Sequence, residues 1–191
     1  MDFAREAAEL LPYIQNHRRH IHQYPELSFR EKETTEYIQK ELESMGIEVI
    51  RFSDYYGLIG VLKGGRAGKT VLLRADIDAL GIREENELDF CSVHAGVMHA
   101  CGHDCHSAML LGAAKILSAY RDALKGTVKF LFQSAEESGH GANYYVDHGC
   151  LDGVDAAMAI HMMNEIPEGT FSIEAGPRMA SCTDFTLTVH G

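Results

Sequence analysis

The sequence predicts an α/β fold with a mixed, mostly parallel central sheet flanked by helices. The main observation is that short apolar runs of strand length alternate with longer segments of helical periodicity. A second is that the run 70–75 is apolar throughout, as in strands buried on both faces of a sheet. A third is that 191 residues, of which 46% are hydrophobic, suffice for a real core.

The first 46 residues carry two helical patterns. Asp2 is placed to cap a helix that runs to about His22, and Pro25 then breaks it. Ser28 is placed to cap a second helix, and Gly46 stands where a left-handed residue ends one.

The remaining elements alternate along the chain. Strands are predicted at 47–50, 58–62, 70–75, 127–132 and 156–161, and helices at 106–124 and 142–147. A long loop rich in glycine and histidine precedes the first of these helices and extends to about Gly102. Further strands are predicted at 170–174 and 185–189, on either side of a Gly176-Pro177 turn.

Composition excludes several classes of protein. The formal net charge is −11, whereas a nucleic-acid binder needs a basic face. The longest apolar run falls short of the 18 residues of a membrane-spanning helix, so no membrane partner is expected. Five cysteines and the lack of a basic-then-apolar leader favour a cytoplasmic location. Eleven histidines, several of them between 93 and 106, direct attention to metal or proton chemistry.

Groups able to bind metal occur at four predicted strand ends or helix starts. These segments are 74–78, 99–104, 133–137 and 160–161. Ligands of open α/β sheets bind beyond the carboxyl ends of the strands, so the four segments are expected to converge there. Together they offer sulfur, nitrogen and oxygen, the donor set of zinc and its first-row neighbours.

Each segment also has a structural interpretation. Asp76 and Asp78 suit turns, Cys101 suits a small buried apolar site, and His161 suits a core or rim position. Glu136 and Glu137 suit a solvated helix start, although adjacent carboxylates after a buried strand repel each other unless a cation lies between them. A Cys101/Cys105 pair would serve a thiol redox protein, but no second cysteine pair completes a four-ligand site.

Two motifs carry a family resemblance, MHACGHD at 98–104 and RADIDAL at 74–80. They resemble the metal-dependent amidohydrolases of the aminoacylase group, which includes hippurate hydrolases, indole-acetyl-amino-acid hydrolases and N-acetyldiaminopimelate deacetylases. The segments 22–28, 136–137 and 176–180 also match, so the resemblance runs from about Arg18 to Gly191.

The resemblance implies a zinc-peptidase-like catalytic domain with two divalent metal ions, of Zn, Mn, Co or Ni. It implies the ligands Cys101, His103, Glu137 and His161, with Cys101 where related enzymes use a bridging carboxylate. Glu136 matches the general base, and Asp78 matches the carboxylate that orients a neighbouring ligand. The implied reaction is hydrolysis of an N-acyl amino acid, by a homodimer or homotetramer when the enzyme is full length.

Two departures and one missing part qualify the resemblance. Gly81 replaces a usual proline, and Cys105 replaces a frequent glycine. The family continues into a lid or dimerisation domain and returns with a last histidine ligand. We therefore expect 1–180 to be an incomplete catalytic domain, 181–191 to begin the lid domain, and this truncated chain to hydrolyse poorly on its own. The alternatives are a non-catalytic metal-binding fragment of the same fold and a thiol redox protein.

Overall fold

The fold is built on a five-stranded mixed sheet. The computed structural model describes residues 2–181, 183 and 185–191. Its strands are β1 (Glu48–Arg51), β2 (Leu58–Lys63), β3 (Arg66–Asp76), β4 (Lys125–Gln133) and β5 (Ala156–Ala159), in the spatial order β1-β2-β4-β3-β5. β3 runs parallel to both β4 and β5, whereas β2 is antiparallel to β1 and β4. Four strands therefore run in one direction, as predicted, and only β2 opposes them.

Helices cover both faces of the sheet. They are α1 (Phe3–Glu9), α2 (Leu11–Gln23), α3 (Lys32–Ser44), α4 (His103–Ala119) and α5 (Gly141–Asp147). Two short 3-10 helices, Arg121–Ala123 and Glu136–Ser138, flank β4. Within the described residues, none of the helices combines the length and apolar character needed to cross a membrane.

Alternation along β4 divides the core between the two faces. Phe130 and Phe132 are fully buried in the larger cluster, with side chains of α3 and α4. Leu131, between them, points to the opposite face and belongs to the cluster that contains Tyr145 of α5. Burial on both sides explains why these strands read as continuous apolar runs.

The N-terminal helical predictions need two corrections. The first helix is divided at Leu10, although the Asp2 side chain accepts from the Arg5 amide as predicted. Ser28 does not cap α3, because its hydroxyl donates to Asp78 instead. Glu26 serves the start of α3, accepting from the Glu33 and Thr34 amides at 3.1 and 2.8 Å.

Several later boundaries also differ from prediction. α4 begins at His103 rather than 106, because Gly102 adopts a left-handed φ of 88° immediately before it. It ends at Ala119 and a 3-10 turn follows, so the predicted end at 124 was wrong. β5 ends at Ala159, two residues early. The strands predicted at 170–174 and 185–189 are wrong, since the described residues of both segments pair with no other strand. The domain boundary at 180/181 stays a prediction.

Candidate metal centre

Strand register brings the predicted site residues together. β3 and β4 are parallel neighbours, and their last residues, Asp76 and Gln133, lie opposite each other. The turn that contains Asp78 therefore lies beside the turn that contains Glu136 and Glu137. The start of α4 and the chain after β5 reach the same edge, as the contacts described below establish.

His103 presents one free ring nitrogen. Its Nδ1 lies 2.8 Å from the backbone oxygen of Asp78, and a carbonyl only accepts, so Nδ1 carries a proton. The ring is fully buried, and Nε2 has no hydrogen-bond partner among the described residues. Nε2 lies 3.6 Å from Glu137 Oε1 and 3.7 Å from Glu136 Oε2. Nε2 also lies 3.6 Å from Asp76 Oδ1, so the lone pair of a neutral His103 would lie close to three carboxylates.

His161 has the same arrangement. Its Nδ1 lies 2.7 Å from the backbone oxygen of Met162, which again makes Nδ1 the donor. Its Nε2 lies 3.5 Å from the Sγ atom of Cys101. Both imidazoles are thus oriented through Nδ1 by a main-chain carbonyl, the usual support of a metal-binding histidine.

Glu136 and Glu137 occupy a 3-10 turn directly after β4. The turn is preceded by Ala135 in a left-handed conformation with a φ of 55°. Oε1 of Glu137 is buried and has no hydrogen-bond partner among the described residues. Burial raises the pKa of Glu137, and the nearby Glu136 and Asp78 carboxylates raise it further against the opposing effect of His103. The Glu136 side chain is more exposed than that of Glu137, at 39% against 20%.

Asp78 connects the parts of the site. Its Oδ2 accepts from the Ser28 hydroxyl at 2.7 Å and from the Glu137 amide at 3.0 Å. Its Oδ1 lies 3.3 Å from His103 Nδ1. Burial alone would raise the pKa of Asp78, but the hydrogen bonds from His103, Ser28 and the Glu137 amide outweigh it and lower the pKa. Asp78 is therefore an ionised support for His103 and for the glutamate turn.

Three groups of donor atoms share His103, and two of them contain the predicted ligands. One consists of Cys101, His103 and His161, the other of His103, Glu136 and Glu137, and within each group the donor atoms lie within 4.8 Å of one another. Burial and the neighbouring carboxylates raise the pKa of the Cys101 thiol to about 12. The excess of negative charge and the unpartnered Nε2 and Oε1 atoms fit a site that holds divalent cations.

The third group combines His103 with Asp76 and His106, and the latter two form hydrogen bonds within the protein instead. His106 donates from Nδ1 to Asp76 Oδ1 at 2.6 Å, and its Nε2 accepts from the Met162 amide at 2.8 Å. Asp76 also accepts from Arg74 at 2.7 Å. This network fastens the chain that carries His161 to the end of β3. Sequence reasoning missed His106, although its position one helical turn after His103 was a usable signal.

The sequence model of peptidase family M20/M25/M40 matches residues 72–190. The N-acetyl-L-cysteine deacetylase of Bacillus subtilis (strain 168) is 46% identical over 91% of this chain and 42% of its own length. Thermostable carboxypeptidase 1 of Saccharolobus solfataricus is 42% identical over 97% of this chain and 48% of its own. The chain thus spans about half the length of these curated relatives.

Among solved structures, the chain is similar to the YXEP protein of Bacillus subtilis, described as a dinuclear metal binding peptidase from the M20 family. The TM-score is 0.84 and the identity 44%, over 87% of this chain and 47% of that one.

Proposed function

The chain belongs to peptidase family M20/M25/M40, and we propose that it forms the metal-binding part of an enzyme that hydrolyses N-acyl amino acids. The observation that carries the proposal is the convergence of lone pairs on one buried point. His103 Nε2 and Glu137 Oε1 face each other without hydrogen-bond partners in the described chain, and Cys101 and His161 lie beside them.

The names of the relatives support the substrate class. A deacetylase of N-acetylcysteine and a carboxypeptidase both cleave an amide whose nitrogen belongs to the amino acid that is released. An N-acyl amino acid, or a related peptide conjugate, has this bond. The acyl group and the side chain stay open, as does assembly into a homodimer or homotetramer.

We assign Cys101, His103, Glu137 and His161 as ligands of two divalent ions, of Zn, Mn, Co or Ni. The dinuclear relative supports the number of ions, and the mixed donor set supports transition metals. Bound metal of this kind supplies a Lewis acid that acidifies water and polarises an amide carbonyl.

Glu136 is the proposed general base. Its carboxylate is the more exposed of the glutamate pair and lies at the open side of the cluster. It takes a proton from the attacking water and delivers it to the leaving amine nitrogen. Asp78 keeps His103 in the Nδ1–H tautomer, which leaves Nε2 available as a donor.

Zinc titration of the purified apoprotein tests the ligand assignment. The double variant Cys101→Ala/His103→Ala should lose measurable zinc binding. It removes the sulfur of one group of donor atoms and the His103 nitrogen that all the groups share. His148→Ala, at an exposed histidine in contact with α5, is the matched control and should bind like wild type. Unchanged zinc binding in the double variant would refute the assignment.

Hydrolysis is tested separately, with N-acetyl and N-benzoyl amino acids in the presence and absence of chelator. Glu136→Gln should keep its metal but lose hydrolysis by ~10²–10⁴-fold. Near-native turnover in the metal-loaded variant would refute the role of Glu136.

A thiol redox function finds no support in the environment of the second cysteine. Burial and Asp104 raise the pKa of the Cys105 thiol to about 11, which disfavours the reactive thiolate. Thiol-dependent disulfide exchange by the purified protein would reverse this interpretation.

A further inference from the structure

We infer that Glu31 is a positioning residue that holds the turn bearing Glu136 and Glu137 in its metal-binding conformation. The inference rests on the proposed function, since it assigns those glutamates to the metal site. Glu31 lies far from them in sequence, at the residue before α3, and it belongs to none of the groups of candidate ligands.

Glu31 contacts the turn through one hydrogen bond. Its Oε1 accepts from the Ala135 amide at 2.7 Å, and both residues are fully buried. Its Oε2 is also buried and has no hydrogen-bond partner among the described residues. The carboxyl group thus directs one oxygen at the residue immediately before the glutamate pair and leaves the other unused.

The residue that Glu31 contacts has an unfavourable backbone conformation. Ala135 has a φ of 55°, in the left-handed region that side chains with a Cβ atom seldom adopt. This conformation turns the chain after β4, so that the Glu137 amide meets Asp78 Oδ2 and Glu137 Oε1 faces His103. Strained residues persist only where surrounding contacts enforce them. The Ser138 hydroxyl donates a hydrogen bond to the Ala135 carbonyl at 2.7 Å, and the Ala135 amide donates one to Glu31.

Burying a carboxyl group costs free energy, and here the buried group accepts a hydrogen bond from only one amide. Burial raises the pKa of Glu31 to about 7, and its second oxygen gains nothing in return. The same segment supports the neighbouring turn, because Ser28 donates to Asp78. The residues just before α3 therefore contact both turns that form the metal site, and Glu31 is the contact to the glutamate turn.

The first measurement needs no metal. Amide hydrogen exchange in apoprotein should show the Ala135 amide exchanging at least ~10-fold faster in Glu31→Ala than in wild type, because its acceptor is lost. Glu31→Gln keeps an oxygen at the same place and should exchange within a few-fold of wild type. Glu36→Gln, at a partly exposed glutamate of α3, is the matched control and should not change the exchange of this amide. Equal Ala135 exchange in wild type and Glu31→Ala would overturn the inference.

The second measurement is Co²⁺ binding, followed by its visible absorption. Loss of a residue that supports a ligand typically weakens metal affinity 10–100-fold, so Glu31→Ala should weaken Co²⁺ binding by about that factor. Glu31→Gln should restore binding, which a general loss of stability does not explain. Wild-type Co²⁺ affinity in folded Glu31→Ala would overturn the inference.

Two further outcomes are decisive. If Glu31→Ala fails to fold, Glu31→Asp takes its place, because it withdraws the carboxylate oxygen by the length of one methylene. Glu31→Asp should also exchange the Ala135 amide faster and bind Co²⁺ more weakly than wild type. Wild-type exchange and wild-type Co²⁺ affinity in Glu31→Asp would overturn the inference. If wild type itself binds no Co²⁺, the proposed function fails, and the exchange of the Ala135 amide still decides the role of Glu31.

Discussion

Replacement of Tyr145 by phenylalanine tests how the chain after β4 is held. Tyr145 lies on α5, and its ring is fully buried against the sheet. Its hydroxyl donates to the Tyr56 carbonyl at 2.6 Å and accepts from the Ser134 amide at 2.9 Å, with the Ser134 hydroxyl 2.8 Å away. Tyr145→Phe removes only this oxygen and leaves the apolar contacts of the ring in place.

The magnitude follows from which partners are left without a hydrogen bond. The Tyr56 carbonyl still accepts from the Ser134 hydroxyl at 3.1 Å, so it stays satisfied. The Ser134 amide loses its acceptor in a buried position, which costs about 1–3 kcal/mol. The Gly57 backbone packs closely against this hydroxyl, since a Cβ atom placed on Gly57 would lie only 2.1 Å from it. We therefore expect Tyr145→Phe to lower the free energy of unfolding by about 2 kcal/mol.

Urea unfolding of wild type and variant at neutral pH measures this difference. Tyr144→Phe is the matched control, because its hydroxyl binds the exposed Asp54 and the substitution should shift the urea midpoint much less. Midpoints for Tyr145→Phe and Tyr144→Phe that coincide would refute the reasoning.

Two predictions concern the same region. Gly57→Ala should lower the free energy of unfolding by at least ~2 kcal/mol, because Gly57 has a φ of 78° and an added Cβ would lie 2.5 Å from the Phe132 carbonyl oxygen. A urea midpoint within error of the wild-type value would contradict this prediction. Glu31 should make the free energy of unfolding fall as pH rises, because its pKa is about 7 in the folded chain and 4.5 in the unfolded chain. A stabilisation of about 3 kcal/mol is therefore present below pH 4.5 and lost by pH 7. Urea unfolding of wild type and Glu31→Gln from pH 4.5 to 7.5 measures this loss as a changing difference, and parallel stability curves would contradict it.

The sequence was sufficient to predict that the residues after three of the strands would converge, because that depends on strand direction. Polar groups follow β3, β4 and β5, and parallel strands end at the same edge of a sheet. The individual candidate ligands Cys101, His103, Glu137 and His161 came from the family resemblance, and in the structure they fall in two groups of donor atoms that share His103.

The supporting residues could not be predicted, because local signals for them point elsewhere. Ser28 has the residue type and position of a helix cap, yet its hydroxyl is 50 positions away in sequence from the aspartate it contacts. Glu31 begins a helix with the charge expected there, and nothing nearby in sequence indicates that it is fully buried. The conformation of each residue is decided by a partner in the turn after β3 or after β4, and a local sequence pattern does not contain that partner.

The turn after β4 shows why the supporting residues are distant in sequence from the residues they support. A ligand on a strand end needs a turn that is fixed to a fraction of an ångström, and a turn cannot supply that rigidity from its own few hydrogen bonds. At Ala135 the left-handed conformation is held from outside, by Glu31 on its amide. At Glu137 the amide is held by Asp78, which Ser28 holds in turn. The segment before α3 therefore constrains both strand ends at once, so that changes in this segment should alter the proposed metal site even though none of its residues is among the candidate ligands.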